Sequence, residues 1–262
     1  MYLHPNWFGI PDSSTAIRIS FLTVAIWWAV FTLPIIIFLP EPKSSNSVPL
    51  SKAVFSGISQ LRETYDNIRE MKIIGTFLLA FWLYEDGVAT IVRMAGKIAS
   101  SLGFAAGDII TAILMVQFIG FPAALLYNWF AKKIGIKNAV LVAIAGYGII
   151  TLLGYMMTDI IHFYILAAMI GIFQGGIQSL SRSLFTRLVP KGKEAEFFGF
   201  YNMLGKFAAV IGPILVGWIT VMTGNPRTGI LSIVVLFILG GLLLIKVDFE
   251  AGEKIAADFG KK

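Results

Sequence analysis

Between Ile73 and Met94 the chain reads IIGTFLLAFWLYEDGVATIVRM. A helix needs about 20 apolar residues, rising about 1.5 Å each, to cross a hydrocarbon core about 30 Å thick, and this stretch has that length. Two adjacent carboxylates, Glu85 and Asp86, lie near its middle, with Arg93 toward one end. An ionisable group at the centre of a bilayer costs roughly 2.5–3.5 kcal/mol on insertion scales, so such groups face a bundle interior or a watery path. The stretch therefore predicts one span of a polytopic bundle.

Working outward, six more segments have a workable length: Ile19–Phe38, Asp108–Ala131, Asn138–Met157, Ile161–Leu184, Phe197–Met222 and Gly229–Ile245. Of the 262 residues 57% are hydrophobic and 14% charged, against roughly 45–50% and about 25% in soluble domains. Backbone groups in lipid must satisfy one another, so runs of this length are helices. The alternating segments of about ten residues that mark an outer-membrane barrel do not occur. The expected fold class is an all-α integral membrane protein of about seven transmembrane helices.

Basic residues set the expected orientation. One side collects Lys43, Lys52, Arg62, Arg69, Lys72, Lys132, Lys133, Lys137, Arg182, Arg187, Lys191, Lys193, Lys246, Lys254, Lys261 and Lys262. The other holds Arg18, Lys97 and Arg227. The N-terminus is expected outside and the C-terminus in the cytoplasm, with the cell membrane as the location. The organisation expected is an extracytoplasmic segment over 1–17, a first transmembrane helix over 18–39, and a cytoplasmic loop over 40–72. A six-helix bundle follows over 73–247, with a cytoplasmic tail over 248–262. Within the loop, Leu50, Val54, Ile58, Leu61, Tyr65 and Ile68 recur at three- and four-residue spacing. That pattern predicts an amphipathic helix lying on the membrane face or against the bundle.

Polar residues inside the spans point to a path. Asp86 and Arg93 lie two turns apart, on one face of the second span. Gln117 sits midway along the third span, and Gln174, Gln178 and Arg182 draw a stripe down the fifth. Asn202 and Lys206 are four apart on the sixth. Tyr84 stands beside the carboxylate pair as a hydrogen-bonding candidate. The fourth and seventh spans carry no core charge, so they are expected to face lipid. Tyr84, Glu85, Asp86, Arg93, Gln117, Gln174, Gln178, Asn202 and Lys206 are thus the substrate or coupling candidates. Glu85 and Asp86, about 100° apart on a helix, do not both face one path squarely. Arg182 and Lys206 also lie where long side chains snorkel, and the glutamines equally suit interhelical hydrogen bonds. Gly212-Pro213, inside the sixth span, reads as a hinge or as close packing.

Other classes find little support. There is no cysteine and there are only two histidines, His4 and His162. That excludes a disulfide framework and a Cys/His zinc cluster, so neither metal nor cofactor is expected. The net charge of +6 sits in short loops between apolar runs, which suits a bilayer and not a nucleic acid. A retinal protein would need a lysine in the last span, and Lys246 lies beyond it. Glycine-rich phosphate loops are absent, as are catalytic serine/histidine or paired-aspartate sites, so no enzyme is expected.

The stretch Gln174–Gly212, QGGIQSLSRSLFTRLVPKGKEAEFFGFYNMLGKFAAVIG, together with FLLAFWLYEDGVATIVRMA over Phe77–Ala95, resembles the vacuole-effluxer-like branch of the major facilitator superfamily. That branch is named for a fungal protein that releases amino acids from the vacuole. The basic turn Tyr127–Lys137 is similar to the superfamily's cytoplasmic gating loop, which makes Lys132, Lys133 and Lys137 gate candidates, and Arg182, near the cytoplasmic end of the fifth span, is counted with them. Asn128 and Ala131 depart from the usual glycine and acidic residue there. The resemblance implies twelve spans in two halves, of which these seven match the sixth through twelfth. It also implies a central cavity lined by spans two, three, five and six, and secondary transport of a small polar solute, with an amino acid or dipeptide as candidate. The expected partners are the lipid bilayer, the solute, and a missing or separately encoded N-terminal half or a second copy. The alternative is a half-transporter with no transport of its own.

Overall fold

A computed structural model of the chain describes residues 5–39 and 50–259. Lys43, Lys261 and Lys262, used above for orientation, lie outside the described residues, as do the side chains of Leu50, Lys52, Val54 and Ile58. The chain divides into two compact units, Met1–Val54 and Phe55–Lys262.

The first unit holds a 3-10 turn, Pro5–Phe8, and α1, Ser13–Phe38. The Asp12 carboxylate starts α1 by accepting from the Thr15 amide, 2.8 Å away, which satisfies one of the free N–H groups of the first turn. The same bond holds the Asp12 carboxyl below its usual range. Pro34 is accommodated inside α1, four residues before its end.

The helix α2, Leu50–Glu70, begins at the end of the first unit and continues into the second. The second unit then comprises α3, Lys72–Ser101; α4, Ala106–Ile134; α5, Ile136–Tyr155; and α6, Ile160–Leu188. It continues through α7, Glu194–Phe207; α8, Ile211–Thr223; α9, Pro226–Leu231; α10, Val234–Lys246; and α11, Phe249–Phe259. With α1, the described residues contain seven segments long and apolar enough to cross a membrane, α7–α8 forming one and α9–α10 another. The protein is an all-α, multi-pass membrane protein.

Three differences from the sequence reading have physical causes. The second span extends to Ser101, seven residues past Met94, because Ile98 and Ala99 are buried and carry the helix on. The sixth span is two helices, broken at Ala208–Val210. The tail, expected only as a cytoplasmic extension, folds as α11, with Phe249 and Ala256 buried. In α2, Thr64 and Ile68 are buried while Leu61 and Tyr65 stay exposed, so only part of the apolar stripe packs.

Small residues set the closest helix contacts. A Cβ on Gly175 would stand 2.9 Å from the Ala124 Cβ and the Gly120 carbonyl oxygen, and one on Gly171 would stand 3.0 Å from the Ile119 Cβ. The spacing of these two glycines thus marks the α4–α6 seam. Gly240 lets α10 approach the α3 backbone at Ala80 and Tyr84 in the same way. The fourth and seventh spans pack one face and expose the other: α5 buries Ala143, Tyr147 and Ile150 but exposes Ile149 and Leu152. Among the spans of the second unit the most open is α4, which shows Phe118, Phe121, Leu125 and Leu126 on its surface. Helix ends are closed locally, as where the Asp159 amide donates to His162 Nδ1 at 3.4 Å to start α6.

Candidate functional site

Three consecutive residues of α3 point to three different neighbours, as a helical step of about 100° requires. Tyr84 is fully buried and its hydroxyl shares a 2.7 Å hydrogen bond with Ser181, tying α3 to α6. Glu85 turns into a cavity of about 430 Å³ between α3, α6 and α7. Asp86, 1% exposed, turns away from that cavity to the start of α8. There its Oδ2 accepts from the Ile211 amide at 2.9 Å and its Oδ1 from the Gly212 amide at 3.0 Å.

The cavity is lined by Phe81, Glu85, Gln178, Arg182, Tyr201, Asn202, Gly205 and Lys206. Its apolar wall is the stacked pair Phe81 and Tyr201, with ring centroids 4.2 Å apart. The buried Glu85 Oε2 has no hydrogen-bond partner in the protein. Among the described residues the ion pairs within 4.0 Å are Arg187–Glu253, Lys193–Glu63 and Lys193–Glu196. Glu85, Arg182 and Lys206 therefore share a cavity without pairing. Arg182 instead sits 5.2 Å from the centre of the Phe198 ring, within cation–π range. One carboxylate, two cations and two amides around an aromatic wall suit a small solute bearing charges of both signs.

A second cavity of about 260 Å³ lies between α3, α4, α5 and α6. It takes Arg93, Gln117, Thr151 and Gln174 and is otherwise mostly apolar, with Met94, Ile113, Phe163 and Ile170 among its lining. The structure thus brings Glu85, Gln178, Arg182, Asn202 and Lys206 together and sets Arg93, Gln117 and Gln174 apart. Tyr84 and Asp86 line neither.

The gate candidates also separate. Arg182 lines the polar cavity. Lys137 instead closes a helix end, its Nζ donating to the carbonyls of Ile245 and Val247, both at 2.8 Å. Lys133 lies 3.8 Å above the Trp129 ring, and Lys132 is an exposed residue in the last turn of α4. Of the hinge pair, Pro213 occupies the first turn of α8, where its missing N–H costs nothing, and Gly212 packs on Thr90 and Asp86. Among the described residues no three His, Asp or Glu side chains gather to hold a metal ion.

Sequence reasoning missed Phe81 and Tyr201 in the cavity and Ser181 and Thr90 behind it. A signal existed for the first: Phe81 precedes Glu85 by four residues and so shares its face.

This arrangement sits in a chain whose residues 6–257 match the model of a family described as vacuole effluxer Atg22 like. The chain belongs to that family. Its relatives include an uncharacterized MFS-type transporter, YxiO, of Bacillus subtilis, 35% identical over 248 residues, covering 94% of this chain and 58% of the relative. Autophagy-related protein 22 of Yarrowia lipolytica is 28% identical, over 94% of this chain and 46% of its own length. Autophagy-related protein 22-1 of Phaeosphaeria nodorum is 30% identical, over 93% and 48%. The chain spans about half the length of the curated relatives it matches. The relatives are described as transporters or autophagy proteins, and none of these names is an enzyme's.

Proposed function

We propose that this chain forms one wall of a secondary transporter for a small polar solute carrying both an acid and an amino group, an amino acid or dipeptide. The observation that carries the reading is the α3–α6–α7 cavity, where Glu85, Arg182 and Lys206 stand unpaired. A solute carboxylate would draw charge-assisted hydrogen bonds from Arg182 and Lys206, and its ammonium group would meet Glu85. Gln178 and Asn202 would orient it, with the Phe81–Tyr201 pair under its apolar part. Glu85 is also the coupling carboxylate in this reading.

Alternating access places the site between two bundles that rock against each other. The opposite wall would come from a second six-helix bundle, either an N-terminal half or a second copy. The half-length match to the relatives supports this, and equally supports a second reading, a partner subunit without transport of its own. The collection of Lys132, Lys133, Lys137, Arg187, Lys191 and Lys193 in the loops flanking α4–α5 and α6–α7 supports the positive-inside orientation. The N-terminus then lies outside and the C-terminus in the cytoplasm, in the cell membrane.

The test is counterflow of radiolabelled amino acids in proteoliposomes, with the oligomeric state read by native mass spectrometry. Saturable exchange that falls about tenfold or more in Arg182→Ala or Lys206→Ala, the loss expected for one hydrogen bond to a charged group, supports the reading. In Glu85→Gln the pH dependence of the exchange should flatten. A folded dimer with no exchange favours the subunit reading instead.

A further inference from the structure

The break at Ala208–Val210 cuts the sixth span into an arm that carries cavity residues and a half-helix that carries none. The amides at the start of α8 would otherwise be orphaned inside the membrane, where each unsatisfied group is costly. From Ile211 to Ile214 they are accounted for. Ile211 and Gly212 donate to Asp86 at 2.9 and 3.0 Å, Pro213 has no N–H, and Ile214 donates to the Val210 carbonyl at 3.4 Å. Thr90, one turn along α3, adds a 3.2 Å bond to the Asp86 Oδ1. The fit is close: a Cβ on Gly212 would stand 2.1 Å from the Thr90 Oγ1. On its other side α8 meets α9 through Gly229, whose Cβ would stand 2.6 Å from the Val216 carbonyl oxygen.

The arm α7 is held differently. Tyr201 stacks on Phe81 at 4.2 Å and on Phe185 at 4.8 Å, both rings nearly parallel to its own. Stacked rings attract by dispersion and tolerate sliding, whereas hydrogen bonds weaken steeply with angle.

We propose that Asp86 is a positioning residue. It pins α8 to α3, so that α7, with Tyr201, Asn202 and Lys206, pivots about Ala208–Val210 as a separate arm. The assignment rests on the transport reading for its purpose, but the pin itself is a property of the fold. It gives the two adjacent carboxylates different tasks: Glu85 faces the solute, and Asp86 fixes the pivot of the wall opposite.

The chain has no cysteine, so spin labels can be placed without background. One pair at Val92 and Trp218 reads α3 against α8, and another at Leu79 and Ala195 reads α3 against α7, each measured by double electron–electron resonance in nanodiscs. In the wild type the α3–α8 distribution should be narrow. In Asp86→Asn, whose amide group presents a donor to one of the two helix amides, it should widen, with the α3–α7 distribution unchanged. If that chain fails to fold, Thr90→Ala removes one of the three bonds and is judged by the same criterion. An α3–α8 distribution as narrow in the variant as in the wild type overturns the pin. So does a change in the pH dependence of exchange in Asp86→Asn matching that of Glu85→Gln, which would make Asp86 a cavity group. Failure of a folded wild-type dimer to exchange any amino acid would sink the transport reading and leave the distance measurement intact.

Discussion

At the scale of single residues, the sequence Tyr84-Glu85-Asp86 shows how position on a helix assigns chemistry. Each step of about 100° sends the next side chain to a new neighbour. Tyr84→Phe removes the 2.7 Å bond to Ser181 and should cost about 0.6 kcal/mol, a typical value between membrane helices. Ser181→Ala should cost a similar amount, and the double variant should cost less than the sum, as thermal unfolding in detergent would show. Gly212→Ala is harsher. Its methyl would meet Thr90 Oγ1 and Asp86 Oδ1 at 2.1 and 2.8 Å, an overpacking expected to cost about 1–3 kcal/mol and to lower the unfolding midpoint. The fan of three directions was legible in the sequence, and so was the rule that the two carboxylates diverge. Which of them meets the cavity was not, because the amide partner of Asp86 lies 125 residues away along the chain.

At the scale of elements, Gly212-Pro213 pointed to an irregular sixth span, yet the break falls before it, at Ala208–Val210. Proline is at home in the first turn of a helix, so its presence marks where α8 has begun. The tail helix α11 carried a readable signal in Phe249, Gly252, Ala256 and Phe259, which fall on one face. What the sequence withheld was the surface they meet: Phe249 packs edge-on to Phe77 with centroids 5.8 Å apart, and Arg187 pairs with Glu253. These contacts differ in worth. Phe249→Ala, at a site 7% exposed, should destabilise by about 3–5 kcal/mol. Arg187→Ala removes a pair whose side chains are 42% and 39% exposed and should cost under about 1 kcal/mol. Chemical or thermal unfolding of the two variants side by side would separate them.

At the scale of the whole molecule, seven spans were readable from hydropathy alone, since lipid leaves a long apolar run no alternative to helix. The assignment of polar spans to one cavity was only partly readable. Periodicity gives a face but not the depth at which neighbours meet, and the stripe of Gln174, Gln178 and Arg182 is divided between two cavities. Outside the spans, Lys193 joins α2 to α7 through Glu196 at 3.2 Å and Glu63 at 3.3 Å. These two hydrogen bonds raise its pKa above 10.5. A raised lysine contributes below its unfolded value and is lost as pH rises through the folded one. The tie should therefore be constant across neutral pH, and Lys193→Met should match the wild type only in strongly alkaline buffer, as unfolding midpoints against pH would show. The α4–α6 seam, closed by Gly171 and Gly175 against Val116, Ile119, Gly120 and Ala124, has a consequence for biosynthesis. It joins helices that are next-but-one in the chain, with α5 between them. As the nascent polypeptide enters the bilayer, α4 must wait in lipid until α6 has been translated. Its open, strongly apolar surface is what allows it to stand there alone.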